Sequence, residues 1–429
     1  MNIVHREWQR IKTSSIARNG GWIMAGQGVS LVLQAIYFVL LARLLGATEY
    51  GIFVGAFAFV NLIGKYSTLG TGGVFLRYVS IDKKQFALFF GNMLLVIAIG
   101  GVAMTAIMVV AGTHLLNPKS AAVVLLAALS NCFGLQITTC TAQIFQAMEK
   151  MRITALLNLS NSFVRTLAAA ALFVTIHHAT AWQWALTSTI VSLAGAIVAL
   201  GIVAFSFSGP QFSLSLLRKR FVEGCEFAFA SSTTSAYNDL DKSMLSHYGM
   251  NAANGIYTLA YRAVDIATLP IVSLRDAAMP HLFRKGAVGL GEAADFAWRL
   301  WRRTFLVSLA MSAGMFLFAP LAAQFAGKGF GEVALAMRWL CLIPIFRSVH
   351  EISGSALTGS GFQRYRTGTQ ICAVLLNLVL NLWLIPRYSW HGAAWSSLVT
   401  DGALGAMNWG MLTLLVRDSK FKTAEPAAS

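Results

Sequence analysis

The chain has 429 residues, of which 56% are hydrophobic and only 12% are charged. Soluble domains have about a quarter of charged residues, so this composition excludes an ordinary water-soluble protein and indicates an integral membrane protein. Lys and Arg number 33 against 17 Asp and Glu, but these bases lie between apolar runs, which is typical of membrane topology and not of nucleic-acid binding.

The N-terminal segment, residues 1–20, is basic and contains no apolar core followed by a small-residue cleavage site, which argues against a removable signal peptide. Its apolar residues Ile3, Val4, Trp8 and Ile11 share the helical face opposite the bases. This pattern predicts a helix lying on the cytoplasmic membrane surface, with a basic tail of no fixed structure as the alternative.

Apolar runs near the length of about 20 residues that a spanning helix needs occur twelve times. They cover residues 21–42, 51–69, 86–111, 121–146, 153–176, 182–205, 221–246, 253–280, 304–324, 333–357, 367–386 and 392–416. The sequence therefore predicts an all-α integral membrane protein with twelve transmembrane helices. The seventh, eighth and tenth runs are polar enough to require a functional explanation.

The distribution of basic residues predicts the orientation by the positive-inside rule. If the N-terminal segment and every second connection are cytoplasmic, 22 Lys and Arg lie inside, including those of the longest polar stretch, 281–303. Only Arg43, Lys119, Lys328 and Arg387 lie outside. Both termini are therefore expected in the cytoplasm.

The two halves of the chain contain matching segments at equivalent places. Gly46 and the run 49–53 match Gly249 and the run 253–257, and the turn 149–152 matches the turn 363–366. Two such matches predict a 6+6 repeat with a central cavity between the lobes. The expected domains are an interfacial segment (1–20), an N-lobe (21–206), a cytoplasmic inter-lobe linker (207–220), a C-lobe (221–416) and a cytoplasmic tail (417–429).

The first helices also resemble a known family. Asn19-Gly20-Gly21-Trp22, Gln34 and the run Ala42 to Phe53, with its segment LG-x-x-EYGIF, are similar to the polysaccharide transporter (Wzx-type flippase) branch of the multidrug/oligosaccharidyl-lipid/polysaccharide exporter superfamily. The EYGIF segment is the most specific part. Length, helix number and 6+6 organisation extend the resemblance to the whole chain, whereas the two extra helices of the lipid II flippase branch are absent.

The resemblance implies a bacterial inner-membrane transporter that moves an undecaprenyl-pyrophosphate-linked oligosaccharide to the outer leaflet by alternating access, without covalent chemistry. It implies Na⁺ or H⁺ coupling as in an antiporter and no cofactor. Its expected partners are the lipid-linked oligosaccharide, membrane lipids, a polysaccharide polymerase and a chain-length regulator.

Two other function classes remain as alternatives. The first is a cation-coupled multidrug exporter of the same fold. The second, a membrane enzyme or assembly scaffold, is disfavoured because no sizeable outer loop carries catalytic carboxylates. No P-loop motif occurs, so the chain has no such device for binding ATP.

Charges inside the N-lobe spans indicate a substrate site, since each costs about 3 kcal/mol or more at the bilayer centre and should face a polar interior. The N-lobe spans contain the bases Lys65 and Arg165 and no carboxylate, which suits a pyrophosphate. Snorkelling of either base to an interface is the alternative. The predicted substrate-binding residues are Arg165, Lys65, Asn158, Asn161, Arg262 and Gln143.

The C-lobe spans contain charges of both signs. Arg262 with Asp265, and Arg347 with Glu351, have i,i+3 and i,i+4 spacing, so internal ion pairs are the leading alternative to a binding role. Oxygen-bearing side chains on the seventh, eleventh and twelfth helices suit a hard cation, and the family resemblance places a cation site on the same helices. The predicted cation-binding residues are Asp239, Asn377, Asn381, Thr400 and Asp401.

Other candidates are weaker. The five cysteines lie in apolar runs without a CxxC motif, so they are interpreted as small core residues and not as zinc ligands or disulfides. His177-His178 has no further ligands nearby, and the run 70–73 is interpreted as a turn between membrane helices and not as a phosphate loop.

Overall fold

The computed structural model describes residues 15–176, 178–327 and 329–424, with side chains from residue 29 to residue 418 within these ranges. Every regular element in these ranges is helical. The α-helices are α1 (Ser15–Ile63), α2 (Thr71–Val79), α3 (Phe86–Leu115), α4 (Pro118–Leu129), α5 (Gln136–Ala147), α6 (Met151–Thr175), α7 (Ala181–Ser206), α8 (Leu214–His247), α9 (Asn251–Val288), α10 (Leu290–Ala326), α11 (Val333–Leu340), α12 (Ile343–Gly359), α13 (Gln363–Tyr388) and α14 (Trp390–Ala424).

Three shorter segments depart from α-helical geometry. A 3₁₀ helix, Gly64–Thr68, follows α1, and another, Lys83–Gln85, precedes α3. A π-helical segment, Ser130–Leu135, joins α4 to α5, so these three pieces form one continuous helix.

Eight helical segments in the described ranges are long and apolar enough to cross a membrane: Val29–Thr68, Lys83–Leu115, Pro118–Ala147, Met151–Thr175, Ala181–Ser206, Leu290–Ala326, Val333–Gly359 and Gln363–Tyr388. The first contains two of the predicted spans, joined at a kink where Gly46 has φ 68°. The predicted all-α, multi-pass membrane fold is confirmed. The number of twelve spans stays a prediction, because α8, α9 and α14 are not among these eight segments. The cytoplasmic location of the termini stays a prediction as well.

Two stretches that were expected as connections are largely helical. α8 begins at Leu214, inside the predicted linker, and the polar stretch 281–303 consists of the end of α9 and the start of α10 with one break at Gly289. Leu282, Leu290 and Ala297 lie in one buried core. Burial of one amphipathic face therefore maintains helix where an apolar run is absent.

The chain forms two compact units, and the boundary between Asp239 and Leu240 falls inside α8. In unit 1, α6 packs along α1, and α5 packs against α2. In unit 2, α14 packs against α12 and α13, and α9 packs against α10 and α12.

Residues with positive φ occur at the matching segments of the two halves, and the 6+6 repeat itself stays a prediction. Gly46 and Gly249, which the sequence matched, both have left-handed conformations, with φ 68° and 71°. Before α6 and α13, the same turn recurs with Glu149 and Gly361 in the left-handed region, at φ 60° and 84°. The structural match thus pairs Glu149 with Gly361, two residues before the sequence match at Gln363.

The prediction that the cysteines lie in the core holds for three of them. Cys132, Cys140 and Cys341 are buried and Cys225 is half-buried, but Cys372 on α13 is exposed. The prediction was wrong for Cys372 because an apolar run does not reveal which face of its helix is packed.

Candidate functional site

A polar cluster in unit 1 forms around the two irregular segments Gly64–Thr68 and Ser130–Leu135. Asn61 Nδ2 donates to Asp239 Oδ2 at 2.6 Å, Asn131 Nδ2 lies 3.5 Å from Asn61 Oδ1, and Gln136 Nε2 donates to Asn131 Oδ1 at 3.3 Å. Such π-helical turns are frequent at functional sites, and irregular backbone within a membrane is tolerated where protein surrounds it.

Lys65 belongs to this cluster. Its half-buried ammonium interacts electrostatically with Asp239 and with Cys140. The predicted C-lobe (221–416) includes Asp239, but in the structure Asp239 is the last residue of unit 1. The unit 1 polar cluster therefore consists of Asn61, Lys65, Asn131, Gln136 and Asp239, and it contains a carboxylate as well as a base.

Arg165 has a different environment, near the middle of α6. Its guanidinium carbon lies 5.4 Å from the centroid of the Tyr37 ring, and Nη2 lies 3.5 Å from the Tyr37 hydroxyl. Arg165 Nε is buried and has no hydrogen-bond partner in the described part of the chain. No described carboxylate forms an ion pair with Arg165. The cation–π contact with the Tyr37 ring is therefore the main interaction that stabilises its charge.

The polar residues near Arg165 on α6 have different environments, since some pack against α1 and others are exposed. Ser162 Oγ lies 2.5 Å from Ser30 Oγ on α1, which joins the two helices. Asn158 is exposed and Asn161 is half-buried. Gln143 lies on α5 against Gly72 of α2. Of the other predicted substrate-binding residues, Asn158 and Asn161 therefore share a helix face with Arg165, and Gln143 lies on a different helix.

In unit 2, three of the predicted cation-binding residues, Asn377, Asn381 and Thr400, lie close together on α13 and α14. Asn377 Nδ2 lies 3.1 Å from Ser396 Oγ and 3.3 Å from Thr400 Oγ1, and Asn381 Nδ2 donates to Asn377 Oδ1 at 2.8 Å. Asn381 Oδ1 is buried and accepts no hydrogen bond from the described residues. We call Asn377, Asn381, Ser396 and Thr400 the amide cluster.

Asp401 follows Thr400 on α14 and points about 100° away from it around the helix. It is buried, and its Oδ1 lies 3.5 Å from His350 Nε2 on α12. The predicted cation ligands of unit 2 thus form two adjacent groups, one between α13 and α14 and one between α12 and α14.

One further carboxylate, which is not among the predicted site residues, lies close to α14. Asp241 on α8 accepts a hydrogen bond from the Tyr257 hydroxyl, which lies 2.9 Å from Ser397 Oγ. Asp241 and Asp239 are two residues apart and therefore point about 200° apart on the helix. This spacing was the available signal that the two carboxylates have different partners.

The predicted ion pairs are partly correct. Arg262 Nη1 binds Asp265 Oδ2 at 3.0 Å, as expected from the i,i+3 spacing. The pairing of Arg347 with Glu351 was wrong: Arg347 Nη2 donates to the Tyr261 hydroxyl at 2.8 Å, whereas Glu351 pairs with Arg275. A residue on a neighbouring helix reaches Glu351 more closely than one on its own helix. In the described ranges, no group of three or more His, Cys, Asp or Glu is arranged to hold a metal ion.

Comparisons with known proteins identify the family and the fold. A sequence profile of the family described as polysaccharide biosynthesis protein matches residues 16–285. No curated protein sequence matches the chain significantly.

Solved structures share the fold. An inward-facing multidrug resistance MATE family transporter of the MOP superfamily superimposes with a TM-score of 0.72 and 15% identity, over 90% of this chain and 95% of that chain. An outward-facing transporter of the same description gives 0.63 and 14%, over 95% and 96%. A MOP superfamily transporter from Pyrococcus furiosus, whose binding pocket of reverse polarity suggests a different function, gives 0.59 and 16%, over 93% and 96%.

At these identities the structural matches establish a shared fold. The family profile covers more than half of the 429 residues, including the EYGIF segment. Together with the apolar helices, these findings describe a multi-pass membrane protein. The chain belongs to the polysaccharide biosynthesis protein family.

Proposed function

We propose that the protein is a flippase of the bacterial inner membrane that moves undecaprenyl-pyrophosphate-linked oligosaccharide from the cytoplasmic to the outer leaflet by alternating access. The environment of Arg165 is the observation that supports this proposal most strongly. A guanidinium near the middle of a spanning helix, held by Tyr37 and by no described carboxylate, is costly unless an anion uses it. Pyrophosphate is such an anion.

The unit 1 polar cluster supplies a second, exchangeable cation. Asp239 interacts electrostatically with the Lys65 ammonium. A pyrophosphate that approaches Lys65 would compete with this carboxylate, and Asn61 keeps the displaced Asp239 hydrogen-bonded. Such competition allows the substrate to be both bound and released. The exposed amide of Asn158 and the half-buried amide of Asn161 suit hydroxyl groups of the sugar.

Unit 2 supplies the coupling in this proposal. The amide cluster and Asp401 offer oxygens for Na⁺ or H⁺, of which Asn381 Oδ1 lacks a hydrogen bond from the described residues. Arg262, which forms an ion pair with Asp265, would contact substrate only if it exchanged that carboxylate for the pyrophosphate.

A cation-coupled multidrug exporter is the second candidate, because two of the structural neighbours are multidrug resistance transporters. The bases of unit 1 favour the flippase, since a pocket for cationic drugs would need to present carboxylates. In unit 1, the carboxylate Asp239 is already hydrogen-bonded to Asn61.

The test is glycan export at matched protein levels in cells that depend on this protein. Loss of one charge-assisted hydrogen bond costs about 1.5–3 kcal/mol, so Arg165→Ala should lower export roughly 10- to 100-fold. Arg165→Lys should retain part of the activity. The matched control is Arg152→Ala, which removes an exposed cation from the start of the same helix. Wild-type export by an Arg165→Ala, Lys65→Ala double variant would overturn the proposal, and efflux of a cationic dye that is indifferent to Arg165 would favour the exporter.

A further inference from the structure

A cavity in unit 1 lies apart from the residues discussed above. It is lined by residues of α2, α3 and the first turns of α8, and its empty volume of about 410 Å³ includes space that is open to the outside. The wall is mostly apolar and includes Val74, Phe89, Met93, Leu217 and Phe221. We call it the α2–α3–α8 cavity.

Two polar residues of the wall are already engaged. Asn92 Nδ2 donates to the Ser213 carbonyl at 2.9 Å, and Asn92 Oδ1 accepts from the Ser213 amide at 2.9 Å. Thr71 Oγ1 donates to the Thr68 carbonyl at 2.8 Å. The cavity therefore presents few groups that could recognise a sugar, and its body suits a hydrocarbon chain.

Arg220 is the positively charged residue in the wall of the α2–α3–α8 cavity. Its guanidinium carbon stacks 4.1 Å from the centroid of the Tyr78 ring, and its Nε is buried without a hydrogen-bond partner in the described chain. Glu223 lies 3.8 Å away, but Glu223 also accepts from Arg77 Nη1 at 2.8 Å and from the Tyr78 hydroxyl at 3.0 Å. One carboxylate therefore faces two guanidinium groups, which leaves this group with one excess positive charge.

We propose that the α2–α3–α8 cavity binds an anionic phospholipid, with an acyl chain against the apolar wall and the phosphodiester on Arg220. A phosphodiester carries one negative charge and balances the excess charge of the group, whereas a pyrophosphate would overcompensate it. Arg218 and Lys219 are exposed on the same turn of α8 and attract anionic lipids to this face. The site uses none of the residues assigned to the flippase reaction, so it does not depend on that function.

The test measures lipid binding by the purified full-length protein. Phosphatidylglycerol and phosphatidylcholine with identical acyl chains are compared by native mass spectrometry and by thermal unfolding in detergent. We expect phosphatidylglycerol to bind and to raise the unfolding temperature more than phosphatidylcholine does. Arg220→Ala should weaken phosphatidylglycerol binding about tenfold or more, as expected for one charge-assisted hydrogen bond, and Arg220→Lys should restore part of it.

Two controls separate this site from general attraction of anions. Arg218→Ala removes the same charge outside the cavity and should weaken phosphatidylglycerol binding less than Arg220→Ala does. Leu217→Trp should fill the cavity and displace the lipid, whereas Leu214→Trp, at a residue that is 75% exposed, should not. Equal binding of both lipids, equal losses in Arg218→Ala and Arg220→Ala, or competition by glycerophosphate as strong as by the intact lipid would overturn the proposal. Tighter binding of a polyprenyl phosphate would assign the cavity to that lipid instead.

Discussion

Arg275 on α9 and Glu351 on α12 form an ion pair, with Arg275 Nη1 2.5 Å from Glu351 Oε2 and both side chains about one-fifth exposed, at 21% and 19%. Arg275 also binds Asp276 on its own helix at 2.7 Å. The pair joins two helices of unit 2. Removing one partner of this pair should lower the free energy of unfolding more than removing one partner of an exposed pair, because little water is available to replace the missing partner.

We predict that Glu351→Gln lowers the stability of the protein by about 1–3 kcal/mol, since it leaves a half-buried guanidinium with weaker partners. The matched control is Glu292→Gln, because the Lys285–Glu292 pair is 2.7 Å long but about half exposed, at 44% and 51%. Exposed pairs contribute at most about 1 kcal/mol. Thermal unfolding in detergent should therefore show a larger decrease for Glu351→Gln, and equal decreases would contradict the role of burial.

The sequence predicted the positions of the helices because apolar runs of spanning length leave few other structures possible in a membrane. It did not predict lateral partners. Asp239 and Asp241 look equivalent as letters, yet one binds Asn61 and the other binds Tyr257. The i,i+4 spacing pairs Glu351 with Arg347. Spacing identifies only partners on the same helix, so it cannot detect Arg275 on another helix.

Candidate site residues were predictable to the extent that charge within an apolar run is itself a signal. This signal selects Arg165 and Asp401 as candidates, and both stay predictions. The α2–α3–α8 cavity could not be predicted in this way, because its wall combines residues of the third predicted span with residues near a predicted turn and a predicted linker. Amphipathic helices at the ends of spans carry a weak signal, and only their packing shows which face is buried.

Close packing between the two irregular segments of unit 1 leads to a second prediction. A Cβ on Gly64 would overlap Asn131 Oδ1. Gly64→Ala should therefore destabilise the protein by about 1–3 kcal/mol through overpacking. Gly201→Ala is the control, since no atom lies within 4 Å of the Cβ position there. In a double-mutant cycle measured by thermal unfolding, Asn131→Ala should recover part of the stability that Gly64→Ala loses. Purely additive losses of stability would show that the two residues are not coupled.

A third prediction concerns orientation. The positive-inside rule places Arg299, an exposed residue near the start of α10, in the cytoplasm. With the native cysteines replaced, Arg299→Cys should react with a membrane-impermeant thiol reagent only after the cells are permeabilised. Lys119→Cys, an exposed position predicted outside, should react in intact cells. Labelling of Arg299→Cys in intact cells would refute the topology.

The fourth prediction concerns energy coupling. One positive charge crossing the membrane provides about 2.3 kcal/mol per 100 mV, which corresponds to roughly a fifty-fold shift in a two-state equilibrium. A bound cation can produce this shift only if it binds one conformation more tightly than the other. Asn381 Oδ1 and Asp401 are buried oxygens of unit 2 whose positions depend on how α12, α13 and α14 pack. We expect them to provide that difference in affinity.

Purified protein in liposomes should flip its lipid substrate faster under an imposed Na⁺ or H⁺ gradient. The double variant Asn381→Ala, Asp401→Asn should lose this stimulation and keep the rate measured without a gradient. Asn408→Ala is the control, because it removes a buried amide of α14 whose oxygen and nitrogen are both hydrogen-bonded, to Thr369 at 2.6 Å and to the His350 carbonyl at 3.2 Å. Asp239→Asn should change the rate with and without a gradient alike, since Asp239 neighbours Lys65. Undiminished stimulation in the double variant would remove unit 2 from the coupling mechanism, and loss of stimulation in Asp239→Asn alone would move the cation to unit 1.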